Sequence, residues 1–109
     1  MNTHYKAKQI ELLPPLVGVI RRLGQEIDGP EVMYILDFLV NYDIKGARCF
    51  MSKEISEAYT NVQDTVCKLA EIFTKGLEPS EEEIQKIQIA ALEQASELTN
   101  LIITEIQKD

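Results

Sequence analysis

Met51-Ser52-Lys53-Glu54-Ile55-Ser56-Glu57-Ala58-Tyr59-Thr60-Asn61-Val62-Gln63-Asp64-Thr65-Val66-Cys67-Lys68-Leu69 is the stretch whose reading decides the fold. Ser52 is a helix-capping residue with Glu54 close behind it, so a helix begins there, with Ile55 and Tyr59 on its inner side. Asn61 followed by Asp64 is close to a second capping box, which predicts a tight turn around residues 60–61 and a second helix to Phe73 or Thr74. Val66, Leu69, Ala70 and Phe73 recur at helical spacing and form that helix's inner side. Lys75 and Gly76 end it, a cation against the negative helix terminus and a glycine suited to a left-handed cap. The expectation is a helix-turn-helix.

Upstream, residues 41–50 form a weak patch with a turn at Gly46 and a short strand-like lead-in at Cys49, Phe50 and Met51. Before it, Asp28-Gly29-Pro30-Glu31 marks a helix start, with a capping residue, a proline in the first turn and an acid at the positive terminus. The helix to about Tyr42 is apolar nearly all round, the pattern of a central buried helix, with Asp37 as the exception. Pro14 and Pro15 predict an extended or turn-like Leu13 and Pro14, an arm before them, and a helix over 15–27 carrying Leu16, Ile20, Leu23 and Ile27. Arg21 and Arg22 sit on its wet side and read as a solvated face more readily than as a phosphate contact.

Downstream, Ser80-Glu81-Glu82-Glu83 is a capping box that opens a helix over 80–107, roughly 40 Å long at 1.5 Å per residue. Ile84, Ile87, Ala91, Ala95, Leu98, Ile102 and Ile106 form a stripe with steps of 3 or 4, broadened by Ile89, Leu92, Leu101 and Ile103. So much apolar surface on so small a body predicts that this stripe is a homodimer interface, the alternative being packing within one chain on the first two helices.

The chain has 109 residues, 45% of them apolar, which suits one all-α domain over 1–109. It divides into an arm over 1–14, a helix-turn-helix core over 15–78 and a dimerisation helix over 79–109. No apolar run reaches the roughly 18–20 residues of a membrane span, and the first residues lack a signal-peptide core, so a cytoplasmic location is expected. Cys49, Cys67 and His4 have neither disulfide-framework nor zinc-ligand spacing, and no metal or cofactor is expected. A redox role for Cys67 would need a lowered thiol pKa. No nucleophile pairs with a histidine base and no glycine loop cradles phosphate, so the chain does not read as an enzyme. The net charge of −7 opposes phosphate binding in bulk and favours a protein partner.

In order, these elements resemble the MarR-type and SarA-type winged-helix regulators of bacteria. Residues 31–39 look like that family's buried second helix, residues 52–59 like the first helix of its motif, residues 63–69 like its recognition helix, and Lys75-Gly76-Leu77 like the exit from it. The resemblance implies a homodimer held by the terminal helices with recognition helices in successive DNA major grooves. It places Gln63 and Lys68 on the DNA-binding face, with Lys45, Arg48, Lys53 and Lys75 as a rim of phosphate contacts. The family's wing is missing, because the link from Gly76 to Ser80 is too short for two strands. Asp64 and Glu71 fall on the same outward face as Gln63 and Lys68. Two functions follow: a small dimeric DNA-binding transcription regulator, and an acidic helical protein-interaction module (antiactivator, antirepressor or phage-type inhibitor) on the same scaffold without DNA binding.

Overall fold

The computed structural model describes residues 3–24, 28–75 and 80–108. The described residues form α1 (Thr3–Ile20), a 3-10 turn (Arg21–Gly24), α2 (Gly29–Ile44), a second 3-10 turn (Ala47–Phe50), α3 (Lys53–Thr74) and α4 (Glu81–Gln107). No strand occurs among them, and the fold is all-α. The bundle is elongated, 51 × 23 × 20 Å. α4 lies against α3 on one side and against α1 and its 3-10 turn on the other, while α2 packs mainly on α3.

The expected turn around residues 60–61 does not form, since α3 is one unbroken 22-residue helix through Thr60 and Asn61. The physical reason lies on its inner side. Ile55, Ala58, Tyr59, Val62, Val66, Leu69 and Ala70 are all buried, and the stripe keeps its helical phase across the supposed break. Burying a valine, leucine or isoleucine among them contributes about 1.5–3 kcal/mol. The propensity cost of Thr60 and Asn61 is below about 0.7 kcal/mol each, and no glycine is present to favour a turn. Thr60 bonds its hydroxyl back to the Ser56 carbonyl at 3.0 Å, the local bond a threonine makes inside a helix. The Asn61–Asp64 pair therefore lies within a helix and opens none. The cap at Ser52 is as expected, its hydroxyl accepting from the Ile55 N–H at 3.2 Å.

The N-terminal arm is also helical. Both Pro14 and Pro15 lie inside α1. Each removes one backbone hydrogen bond, at a cost of about 3 kcal/mol for an interior proline. The carbonyls deprived are those of Ile10 and Glu11, and residues 10, 11, 14 and 15 are all exposed, so water can satisfy them. On the opposite side Gln9, Leu13, Leu16 and Ile20 are buried at steps of 4, 3 and 4, and their burial holds the helix in register. Leu23 continues this side in the 3-10 turn. The expected continuation to Ile27 lies outside the described residues.

α2 starts as read, with Asp28 accepting from the Glu31 N–H at 2.9 Å. After it Gly46 takes the left-handed conformation, φ 87°. The expected strand-like lead-in is a 3-10 turn instead, which buries Ala47 and sets Phe50 against Tyr5 at 5.8 Å. α4 starts at the Ser80 cap, whose hydroxyl accepts from the Glu83 N–H at 3.2 Å. The cap expected at Gly76 lies outside the described residues.

The α4 stripe is the second correction. Ala91, Ala95, Leu98 and Ile102 are buried within a single chain, while Ile84, Ile87 and Ile106 are half-buried. A 27-residue helix spans most of the bundle's length, so α1 and α3 together cover its inner side. Ala91, Ala95, Leu98 and Ile102 thus belong to the core of one copy and are closed to a second, and Ile87 and Ile106 pack against that core.

Candidate interaction surface

Arg48, in the second 3-10 turn, ties α2 to α3. Its Nε donates to Asp43 Oδ1 at 2.8 Å. Its Nη1 donates to Ser56 Oγ at 3.0 Å and to Thr60 Oγ1 at 2.7 Å, and its Nη2 reaches Gln63 Oε1 at 3.5 Å. The guanidinium lies over the Tyr59 ring, 5.0 Å from its centroid. Beneath it the Tyr59 hydroxyl donates to the Leu39 carbonyl and the Tyr42 hydroxyl to the Leu12 carbonyl, with the two rings stacked. Burial pushes the Tyr42 hydroxyl up to about 12. Tyr59 is raised too, first by burial and then by the nearby Asp43 charge. Arg48 is thus spent on internal hydrogen bonds, and Gln63 turns its amide oxygen toward it.

The other residues expected on a DNA-binding face do not converge. Lys45 lines a shallow groove with Tyr34, Asp37 and Asn41. Asp43, which holds Arg48, is two residues away on α2 and points to the opposite side of that helix. Lys53 and Lys68 are both exposed on α3, about 22 Å apart at 1.5 Å per residue. From Lys53 the exposed side runs through Glu57, Asn61, Asp64, Lys68, Glu71 and Lys75, with cations and carboxylates interleaved. Such a surface has no basic stripe to displace counterions from a phosphate backbone. Arg22 is held by Glu31 at 3.3 Å and stacks on Tyr34 at 4.8 Å, which accounts for one member of the Arg21-Arg22 pair.

No family model, characterised protein or solved structure matches this chain. The winged-helix resemblance therefore rests on the quoted residues alone, and the turn that would define its motif is absent from α3.

Two exposed apolar areas stand out. On α2, Met33, Val40 and Ile44 recur at steps of 7 and 4 on one side, with Ile44 76% exposed. On α4, Ile89, Leu92 and Ile103 are 57%, 44% and 41% exposed. Neither area was visible in the sequence, where these residues merged with the core stripes of the same helices. Gln9 was likewise missed. It is buried and donates to the Phe50 carbonyl at 3.0 Å and to Glu105 Oε1 at 3.5 Å, joining α1 to the second 3-10 turn and to α4.

Cys67 is not set up as a redox sensor. Burial, Asp64 and Glu71 push the Cys67 thiol up, the opposite of the shift that a sensing thiolate needs. Among the described residues no group of His, Cys, Asp and Glu could hold a metal ion, and no helix is long and apolar enough to cross a membrane.

Proposed function

We propose that the protein is a protein-interaction module that binds a cationic amphipathic helix of another protein, and that it does not read DNA. The observation that carries this reading is the α2 side made by Met33, Val40 and Ile44 with Asp37 among them, on a chain of net charge −7. An exposed stripe of this spacing is what a partner helix recognises by its own apolar side. The negative field attracts a cationic partner and repels a phosphate backbone. An antiactivator, antirepressor or phage-type inhibitor would use such a surface.

Two titrations test it. Random-sequence duplex DNA should show no binding at low or moderate salt. A cationic amphipathic helical peptide should bind more tightly than its anionic counterpart, and Ile44→Glu should weaken that binding at least about tenfold, the loss of one apolar anchor. Salt-dependent DNA affinity that is lost in the Lys53→Glu, Lys68→Glu double variant would overturn the reading in favour of the DNA-binding regulator.

A further inference from the structure

α4 carries a second seam that its own bundle does not cover. Residues 89, 92, 96, 99 and 103 recur at steps of 3, 4, 3 and 4, and they are Ile, Leu, Ser, Thr and Ile. This is the spacing of a two-helix interface. Thr99 is half-buried and the other four are exposed, while the buried stripe at residues 91, 95, 98 and 102 lies about 100° round the helix from them.

The flanks of this ridge carry opposite charge. On one side Arg21, from the first 3-10 turn, lines a groove with Leu92, Ser96 and Asn100. On the other side Glu93 and Glu97 line a groove against the same three residues. A two-fold axis running along α4 sets the arginine flank of one copy against the glutamate flank of the other, and makes that pairing twice. An axis across α4 would instead oppose Arg21 to Arg21. The charge pattern is self-complementary in the parallel arrangement only.

We infer that a second copy of this chain docks on this seam, α4 parallel to α4, with Ile89, Leu92, Ser96, Thr99 and Ile103 meeting their counterparts and Arg21 facing Glu93 and Glu97. The inference is independent of the α2 surface. In-register pairing stacks like on like, with the small Ser96 at the middle where the backbones can approach.

The test is mass in solution by sedimentation equilibrium at about 100 µM, above the micromolar dissociation constants of small interfaces. The wild-type chain should sediment at twice its monomer mass. Leu92→Glu should leave helicity intact and give monomer, whereas Ile44→Glu on α2 should leave the dimer intact. Arg21→Glu should weaken the dimer about tenfold or more, as should Glu93→Arg with Glu97→Arg, because like charges then face each other. All three changes together should restore it to within about threefold of wild type. A wild-type monomer at this concentration, a dimer indifferent to Leu92→Glu, or failure of the triple variant to recover would each overturn the inference.

Discussion

Replacing Asn61 by alanine separates a continuous α3 from a broken one by the sign of its effect. Asn61 is exposed in the middle of α3, so the change removes no packing. In a helix interior alanine is preferred to asparagine by about 0.6 kcal/mol, because asparagine loses side-chain freedom and competes with the backbone for hydrogen bonds. If Asn61 instead capped the second helix of a helix-turn-helix, alanine would remove the cap and cost about 1 kcal/mol. For a domain of this size 1 kcal/mol moves Tm by roughly 4–8 °C. The continuous helix therefore predicts a rise of about 2–5 °C, and the turn predicts a fall of about 4–8 °C. Thermal and urea unfolding followed by circular dichroism at 222 nm reads both, with an unchanged urea m value as the control for two-state behaviour. Asn61→Pro sharpens the contrast. It removes the bond to the Glu57 carbonyl and should cost at least about 3 kcal/mol in an unbroken helix. A lower Tm for Asn61→Ala would refute the account of α3 given above.

Three further outcomes are expected. Arg48→Lys should destabilise nearly as much as Arg48→Met, by about 1–3 kcal/mol in urea unfolding, because an ammonium cannot reach Asp43, Ser56 and Thr60 together as the planar guanidinium does. Gly46→Ala should cost about 1–2 kcal/mol although nothing crowds the added carbon, since φ of 87° is strained for an L side chain, and Gly46→Asn should cost less. Stability should also fall at alkaline pH. An unfolded tyrosine ionises near pH 10, whereas Tyr42 holds its proton to about 12. Between these values the unfolded chain binds fewer protons, so the stability present below pH 10 drains away as pH rises, by about 2–3 kcal/mol for this residue. Comparing wild type with Tyr42→Phe at about pH 9 and about pH 11.5 should show the shallower slope in the variant.

Much of this protein was legible from local sequence. The caps at Asp28, Ser52 and Ser80 are short-range hydrogen bonds between a side chain and an N–H three residues on, and all three are present. The end of α3 at Thr74, the span of α4 and the all-α class also follow from periodicity and helix-stop chemistry. Two punctuation signals misled, for one reason. Pro14 with Pro15, and Thr60 with Asn61, carry local penalties of at most a few kcal/mol, and burial of Leu13, Leu16, Val62 and Val66 across those points outweighs them. The sequence states the penalty at each position but not which side of the helix is covered.

The same holds for the surfaces. Arg48 and Gln63 are polar, and alone they read as available to a ligand, yet only the packing of α2 against α3 brings Asp43, Ser56 and Thr60 within hydrogen-bonding reach of Arg48. On α4 both apolar stripes are written at helical spacing. Which one lies in the core was decided by where α1 and α3 pack. They cover Ala91, Ala95, Leu98 and Ile102 and leave Ile89, Leu92 and Ile103 outside. Helical periodicity and capping act between neighbours along one chain segment, so the sequence by itself determined the helical class and the caps, while burial decided that α1 and α3 run unbroken. Burial depends on distant segments meeting, so the core, the bound arginine and the open seam were decided only by the tertiary structure.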